Sequence, residues 1–239
     1  MDIRNATALV TGANRGIGRS FVTELQNRGV KKVYAATRRP ESVPDTPGVI
    51  PLKLDVTDPA DIRQAVTEAS DTTLLINNAG VSTFARLTDG AEEDIQREMQ
   101  TNFFGMLGMV RAFAPILGTN GGGGILNVLS IMGWMAYEHS NSYGASKAAA
   151  WALTNGVRYE LADQGTQVTA LAMASVDTDM MAEIEDEKSS PDAIVKAALD
   201  GFEAGSLEVL ADARTTAWKA RLGEDPALLY PHLSARGIV

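Results

Sequence analysis

The chain has 239 residues, of which 45% are apolar, enough to build a substantial core in one large α/β domain. Acidic residues outnumber Lys and Arg by 30 to 21, and the resulting net charge of -9 argues against a nucleic-acid partner. The absence of cysteine excludes disulfides and thiolate chemistry. Only His139 and His232 could add imidazole ligands, and they lie far apart, so we predict no metal site.

The sequence shows neither a membrane anchor nor an export signal. No apolar run approaches the ~20 residues that a spanning helix needs. The first predicted strand begins about five residues in, without a basic and apolar leader before it. We therefore expect a cytoplasmic protein without a membrane partner. Because no repeat, composition break or linker divides the chain, we predict a single domain over residues 1–239.

Apolar runs alternate with helical patterns from end to end. The predicted strands are Ala6–Val10, Lys32–Thr37, Val49–Leu54, Thr73–Ile76, Ile125–Leu129, Gln167–Ala172 and Glu208–Ala211. The predicted helices run from the first glycine turn to about Arg28, over Pro59–Ser70, from about Thr88 to Leu117, from about Ser142 onward, over Pro191–Glu203 and over Thr215–Leu222. This alternation predicts a parallel sheet with helices on both faces.

The first strand leads into a glycine-rich turn, TGANRGIG at Thr11–Gly18. Gly12 permits a tight turn, Gly16 leaves room for a pyrophosphate against bare backbone, and Gly18 allows close packing of helix on strand. The N–H groups at the start of the helix would then face the phosphates. The alternative is a glycine-rich connection that binds no ligand.

Basic residues occupy the position where an acidic residue usually binds the ribose of NAD. The second strand ends at Thr37 and is followed by Arg38, and Arg15 lies inside the glycine turn. Two guanidinium groups suit a 2′-phosphate, which they can bind bidentately. We therefore interpret the cofactor as NADP(H); otherwise both arginines are solvated surface residues.

Three further polar positions have a possible role near such a cofactor. The carboxylate of Asp55 could accept from an adenine amino group, or it could cap the helix that begins near Asp58. The small residues of NNAG, Asn77–Gly80, allow the chain to pass close to a ribose. Asn102 lies within a predicted helix between apolar residues, so we expect it to have a buried partner.

The residues best suited to chemistry follow the fifth strand. Ser130 stands at its end, and Tyr143 and Lys147 are four residues apart on the next helix, so both leave the same face. A lysine charge at ~4 Å would favour the phenolate by about 4 kcal/mol, which lowers the phenol pKa by roughly three from its usual ~10. Ser130 could supply a second hydrogen bond to a carbonyl oxygen. Taken alone, such a pair is more often a surface tyrosine packed on a lysine, and the rest of the chain changes that balance.

From about Thr7 to Leu210 the chain resembles the short-chain dehydrogenase/reductase family. The resemblance rests on several motifs in the right order and spacing, with thirteen residues from Ser130 to Tyr143. These motifs are TGANRGIG at Thr11–Gly18, Asp55–Val56, NNAG at Asn77–Gly80, Asn102, Ser130 and YGASK at Tyr143–Lys147.

The resemblance implies a seven-stranded parallel Rossmann sheet and a Ser–Tyr–Lys centre. Tyr143 would be the acid/base, Ser130 would polarise the substrate carbonyl, and Lys147 would lower the tyrosine pKa and hold the nicotinamide ribose. Asn102 would anchor a water that relays protons. The expected cofactor-binding residues are Gly12, Asn14, Arg15, Gly16, Ile17, Gly18, Arg38, Asp55, Val56, Asn78, Ala79, Gly80, Tyr143, Lys147, Val176 and Thr178.

The loop after the sixth strand departs from the family pattern. Met173–Ala174 stands where Pro-Gly is common, which puts the expected nicotinamide carboxamide and phosphate contacts of Val176 and Thr178 in doubt. A short acidic lid, about residues 177–191, suggests an open or mobile substrate entrance. The residues expected to border an apolar substrate are Phe84, Met132, Trp134, Met135, Met180 and Met181. Several of them could instead fill the core, and His139 could touch substrate or lie on a loop surface.

These observations favour an NADPH-dependent carbonyl reductase that converts a ketone or aldehyde to an alcohol. Two other readings stay open: an NADP(H)-binding regulatory or sensor protein without turnover, and the same centre used for alcohol oxidation. The family resemblance also implies a homodimer or homotetramer. An extended epimerase or dehydratase is disfavoured, since only about fifty residues follow the lid.

Overall fold

The computed structural model describes residues 1–232 and contains a parallel seven-stranded sheet. Its strand order is β3-β2-β1-β4-β5-β6-β7. The strands are β1 (Thr7–Thr11), β2 (Lys32–Thr37), β3 (Val49–Lys53), β4 (Leu74–Asn77), β5 (Gly124–Val128), β6 (Gln167–Ala172) and β7 (Glu208–Leu210). The order reverses between β1 and β4, so the connections that leave these two strands diverge and open a crevice at their carboxyl ends.

Helices cover both faces of the sheet. They are α1 (Gly16–Asn27), α2 (Pro59–Glu68), α3 (Glu92–Met99), α4 (Met106–Thr119), α5 (Asn141–Glu160), α6 (Pro191–Glu203), α7 (Ala213–Ala220) and α8 (Pro226–Leu229). The predicted α/β Rossmann architecture is confirmed, with strand and helix ends mostly within one or two residues of their predicted positions. The tail beyond residue 232 lies outside the described residues.

The core is divided by the sheet into two layers, because successive side chains of a strand point to opposite faces. On β1, Ala8 and Val10 pack toward α1 and α6, whereas Leu9 packs toward α2, α4 and α5. Phe202 fills the first layer and Phe113 the second, and both are fully buried. These two layers fix the positions of the strand ends at which the polar motifs lie.

The predicted helix from Thr88 to Leu117 is wrong in two respects. It begins only at Glu92, and a π-helical segment over Gln100–Gly105 separates α3 from α4. At Gly105 the helix passes so close to Val56 that a β-carbon would lie 2.8 Å from a Val56 methyl carbon. Asn102 is therefore carried on an irregular turn, the kind of local widening that occurs often at functional sites.

Candidate active site

A cleft of about 1180 Å³ opens at the carboxyl ends of the strands. This volume exceeds the 300–1,000 Å³ typical of a single ligand site, so the cleft has room for a dinucleotide and a second molecule. Every predicted cofactor-binding residue lines it, and so do three of the four predicted catalytic residues, Ser130, Tyr143 and Lys147. Asn102 is absent from the lining, and it is fully buried behind the cleft wall.

The glycine turn has the geometry that a bound pyrophosphate requires. Gly12 and Gly16 adopt the left-handed φ values of 65° and 50°, which favour glycine. Arg15, which precedes α1, makes no side-chain capping hydrogen bond, so the first N–H groups of the helix remain available to an anion. A β-carbon at Gly16 would lie 3.2 Å from the methyl carbon of Thr178, which shows that the turn and the loop after β6 face each other.

Arginine side chains surround the part of the cleft beyond the end of β2. Arg15, Arg38 and Arg39 all line it. Arg15 pairs with Asp179 at 3.4 Å, yet both side chains are largely exposed, so this ion pair is weak. Thr37, at the end of β2, is buried and accepts a hydrogen bond from the backbone N–H of Arg39. This region therefore presents cations where a site for unphosphorylated ribose usually presents a carboxylate.

Asp55 lines the cleft but does not cap α2. One of its oxygens accepts from both the backbone N–H and the hydroxyl of Thr57, at 2.9 and 2.7 Å. The helix is capped instead by Asp58, whose side chain accepts from the N–H of Ala60. The capping alternative for Asp55 is thus wrong, because the carboxylate closes its own turn at the edge of the cleft.

The NNAG turn is tied to the end of β1. The hydroxyl of Thr11 accepts from the N–H groups of Asn78 and Ala79, each at 2.9 Å, and the amide of Asn78 donates to the Thr11 carbonyl at 2.8 Å. A β-carbon at Gly80 would lie 3.5 Å from the Lys147 ammonium nitrogen. The two glycine-containing turns and the lysine thus form one continuous wall.

Ser130, Tyr143 and Lys147 converge at the middle of the cleft. Ser130 lies two residues beyond the end of β5, where its hydroxyl accepts from the N–H of Met132 at 3.1 Å. Tyr143 and Lys147 lie on successive turns at the start of α5. Lys147 is 4% exposed; its ammonium lies 5.6 Å from the centroid of the Tyr143 ring and donates to the carbonyl of Val128 at 3.0 Å.

The predicted lowering of the tyrosine pKa by lysine is wrong for this geometry. Burial raises the pKa of Tyr143 to about 12; a hydrogen bond with Ser130 opposes that rise, and the charge of Glu98 adds to it. Burial also lowers the pKa of Lys147 to about 8. Desolvation therefore outweighs the lysine charge, whose hydrogen bond goes to Val128 rather than to the phenol. The phenol is therefore protonated at neutral pH.

Asn102 has the buried partners that its apolar neighbours predict. Its carbonyl oxygen accepts from the N–H of Val81, and its amide donates to the Val81 carbonyl and to the hydroxyl of Ser146, each at 2.9 Å. The residue therefore joins the π-helical turn to the segment after NNAG and to α5, one turn beyond Tyr143.

Large apolar side chains line part of the cleft, alongside charged ones such as Arg97, Glu183 and Arg214. Five of the six predicted border residues line it, and none of the five belongs to the buried core: Phe84, Met132, Met135, Met180 and Met181. Phe84 is 40% exposed and adopts a φ of 58°, an uncommon conformation for an aromatic residue that places its ring at the cleft. His139 also lines the cleft and is exposed.

Trp134 is the exception, and its assignment to the substrate border is wrong. Its ring packs edge-to-face on Trp151 at 6.3 Å, and the ammonium of Lys219 lies over it at 4.1 Å from the ring centroid. Trp134 therefore braces the loop after Ser130 against α5 and α7, while its neighbour Met135 faces the cleft.

In the loop after β6, Met173–Ala174 stands where Pro-Gly is common in the family, and both residues make contacts that hold the loop. Met173 is buried in the core, and the N–H of Ala174 donates to the carboxylate of Asp212 at 2.8 Å. Val176 is buried and lines the cleft next to Thr178. In the lid segment, Asp186 forms an ion pair with Arg214 at 2.6 Å.

Sequence reasoning missed several residues at or beside the cleft. Arg39 and Arg214 line it, Asp212 anchors Ala174, and Glu98 lies buried beside the first turn of α5. Of these four residues, only Arg39 could have been found from the sequence, because it is the second residue of an Arg-Arg pair. The other three act through contacts between segments far apart in sequence.

Two classes of feature are absent from residues 1–232. No group of three or more His, Cys, Asp or Glu side chains there could hold a metal ion. None of the helices described is long and apolar enough to cross a bilayer.

Comparisons with known proteins identify the family of the chain. Residues 6–189 match the family model described as short chain dehydrogenase. A short-chain dehydrogenase from Burkholderia cenocepacia J2315, solved in complex with NADP, is 38% identical and superposes with a TM-score of 0.93 over 98% of this chain and 99% of its own. The NADP-dependent 3-hydroxy acid dehydrogenase of Schizosaccharomyces pombe is 33% identical over 72% of each chain.

A third relative is less similar in sequence, but its name states a substrate preference. The bulky-bulky ketone specific alcohol dehydrogenase from Comamonas testosteroni is 27% identical, with a TM-score of 0.74 over 91% of this chain and 92% of its own. The family match covers well over half of the sequence and includes the glycine turn and the Tyr143–Lys147 pair. The chain is an oxidoreductase that belongs to the short-chain dehydrogenase family.

Proposed function

We propose that this oxidoreductase is an NADPH-dependent carbonyl reductase that converts an apolar, bulky ketone or aldehyde to an alcohol. The observation that carries the proposal is the convergence of Ser130, Tyr143 and Lys147 at the centre of a cleft that begins at the glycine turn. A protonated phenol and a hydroxyl placed side by side can bind the same carbonyl oxygen.

The residues present fit NADP(H). Gly16, Ile17 and Gly18 would hold the pyrophosphate at the N-terminus of α1, where no side chain caps the helix. Arg15 and Arg38 would bind the 2′-phosphate, which gives the preference for NADP(H) over NAD(H). The NADP-bound and NADP-dependent relatives support this assignment.

Other parts of the cleft would complete the cofactor site. Asp55 and Val56 would contact the adenine, the NNAG turn and Lys147 the ribose on the reactive side, and Val176 and Thr178 the carboxamide and phosphate. When bound, NADPH would supply the hydride for reduction.

Side chains of the protein would donate the proton and stabilise the negative charge that develops on the carbonyl oxygen. Tyr143 would donate its proton to the carbonyl oxygen, because its high pKa keeps the phenol protonated at neutral pH. Ser130 would hydrogen-bond to the same oxygen as negative charge develops on it. Lys147 would hold the ribose, and Asn102 would keep the first turns of α5 in register with the cleft wall.

The substrate class follows from the large apolar side chains that line part of the cleft. Methionine side chains are unbranched and adapt to irregular ligands, and four of them border the site with Phe84. The bulky-ketone specificity of the Comamonas testosteroni relative supports the same class. A ketone with two sizeable apolar substituents is therefore the expected substrate.

The proposal is tested by incubating the protein with NADPH and a panel of ketones and aldehydes graded by size and polarity, while following NADPH absorbance. We expect turnover to increase from small polar carbonyls to bulky apolar ones, and to be slower with NADH. The reductase proposal is wrong if NADPH binds but no carbonyl in the panel causes its oxidation, and if none of the corresponding alcohols reduces NADP⁺. A cofactor-sensing role would then replace it.

A further inference from the structure

A buried carboxyl group lies next to the catalytic helix, outside the residues that line the cleft. Glu98, on α3, is 0% exposed. Its oxygen Oε1 accepts from the backbone N–H and the hydroxyl of Thr83, at 2.5 and 2.9 Å. Its oxygen Oε2 is hydrogen-bonded to the hydroxyl of Ser142. One side chain thus joins α3, the segment after the NNAG turn and the first turn of α5.

The first turn of α5 depends on such contacts, because it lacks a side-chain cap of its own. Ser140 at its N-cap has a φ of 80° and makes no capping hydrogen bond. Ser142 instead binds the carbonyl of Ala85 through both its N–H, at 3.3 Å, and its hydroxyl, at 3.1 Å. Tyr143 is the next residue, so whatever fixes Ser142 also fixes the backbone that carries the phenol.

Glu98 and Asn102 form two parallel connections. They are four residues apart, on α3 and the π-helical turn that follows it, and they bind Ser142 and Ser146, which are four apart on α5. Both also reach the same neighbouring segment, Glu98 at Thr83 and Asn102 at Val81. Tyr143 lies between the two serines, so one connection holds the helix before it and the other holds the helix after it.

We propose that Glu98 is a positioning residue for Tyr143, holding the start of α5 against residues 81–85 so that the phenol stays at the carbonyl position. This inference rests on the proposed role of Tyr143 as the acid. Proton transfer requires hydrogen-bond distance, and a misplacement of about 1 Å can lower a rate by about 10²-fold. Loss of Glu98 should therefore reduce turnover without removing any group that touches substrate or cofactor.

The hydrogen-bond pattern identifies a substitution of Glu98 that should keep its positioning role. Ser142 has one hydroxyl proton and faces two acceptors, the Ala85 carbonyl and the Glu98 carboxyl. In Glu98→Gln the amide oxygen could accept from Thr83, while the amide N–H groups could donate to Ser142. Ser142 could then donate to Ala85, so the connections of residue 98 to Thr83 and to Ser142 would both be kept. In Glu98→Ala both connections are lost.

The experiment compares Glu98→Gln, Glu98→Ala and Ser142→Ala with wild type in two measurements. The first is kcat and the KM for NADPH with the best ketone. The second is hydrogen exchange of the peptides that cover residues 81–85 and 140–147. Glu93→Ala is the matched control, because Glu93 lies on the same helix and is exposed.

We expect Glu98→Ala and Ser142→Ala each to lower kcat by about 10- to 100-fold with little change in the KM for NADPH. Exchange should become faster in both peptides and stay unchanged in the core strands. Glu98→Gln and Glu93→Ala should resemble wild type in both measurements. The double variant Glu98→Ala/Ser142→Ala should lose less than the product of the two single effects, because the two residues share the Glu98–Ser142 contact.

Wild-type kcat and wild-type exchange in folded Glu98→Ala and Ser142→Ala would overturn the inference. So would a Glu98→Gln variant as slow as Glu98→Ala, since the positioning contacts would then not explain the loss. Should wild type reduce no carbonyl at all, the proposed function fails, and the exchange measurement still decides whether Glu98 holds the first turn of α5.

Discussion

The ammonium of Lys147 lies 5.6 Å from the centroid of the Tyr143 ring, and it donates its hydrogen bond to the carbonyl of Val128 rather than to the phenol. Lys147 is buried, and Tyr143 is partly buried where it lines the cleft. Desolvation disfavours the charged form of each, so the tyrosine pKa rises while the lysine pKa falls. The phenol therefore keeps its proton at neutral pH, which is compatible with the proposed role of Tyr143 as an acid.

The first prediction concerns the titration of Tyr143. Since burial raises its pKa to about 12, Tyr143 should form no phenolate below about pH 10. The measurement is the ultraviolet difference titration between wild type and Tyr143→Phe, which isolates this one phenol. A phenolate signal that appears near neutral pH would contradict the structure and would restore the lysine-lowered pKa expected from the sequence.

The second prediction concerns Lys147 and stability. Burial lowers its pKa from 10.5 to about 8. Below pH 8 both folded and unfolded chains carry the charge, and the folded state bears the full cost of burying it. Between pH 8 and 10.5 the folded chain has lost the proton that the unfolded chain still holds, so the free energy of unfolding rises with pH. The whole increase is about 3 kcal/mol.

Lys147→Met lacks this titration and serves as the comparison. The free energy of unfolding of Lys147→Met minus that of wild type should be most positive below pH 8. This difference should fall by about 3 kcal/mol as the pH approaches 10.5, because only wild type gains stability. Denaturant unfolding of both proteins at pH 7 and pH 10 measures the change. A stability difference that stays constant across this interval would show that Lys147 is not held in a desolvated site.

The third prediction concerns the arginines beside the glycine turn. Arg15→Ala and Arg38→Ala should each weaken NADPH binding by about 10- to 100-fold, because each removes a charge-assisted hydrogen bond worth about 1.5–3 kcal/mol. NADH binding should stay nearly unchanged. Titration calorimetry with both cofactors measures this, and Arg19→Ala, exposed on α1 outside the cleft lining, is the control. Equal losses for NADPH and NADH would refute the assignment of the 2′-phosphate site.

The fourth prediction separates two neighbours in the loop after Ser130. Trp134 contacts Trp151 and Lys219 rather than the cleft, so Trp134→Leu should lower the free energy of unfolding by about 1–2 kcal/mol while leaving the KM for ketone unchanged. Met135 lines the cleft, so Met135→Ala should change that KM with a smaller effect on stability. The opposite pattern would place Trp134 at the substrate after all.

Features that depend on short sequence spacing could be predicted from the sequence. The strand and helix order followed from apolar periodicity, and the Tyr143–Lys147 pair from a four-residue spacing on one helix. The placement of Asn102 was also foreseeable, because an amide among apolar residues needs a buried partner. The glycine turn could be predicted because each of its glycines is needed for a conformational or steric reason.

Other features could not be predicted, because they depend on which distant segments meet. The direction of the Lys147 hydrogen bond is decided by the position of Val128 on β5, and the orientation of Trp134 by Lys219 on α7. The role of Glu98 needs Thr83 and Ser142, which come from two other segments. The expected homodimer or homotetramer stays a prediction, as does the mobility of the lid.

The most direct test of the central claim is the rate of NADPH oxidation by a bulky apolar ketone in wild type and in Tyr143→Phe, with equal NADPH binding verified for both proteins. Wild type should turn over, and Tyr143→Phe should lose about 10²–10⁴-fold in kcat, because the proton donor is removed while the cofactor site is kept. Turnover by Tyr143→Phe at the wild-type rate would contradict the account.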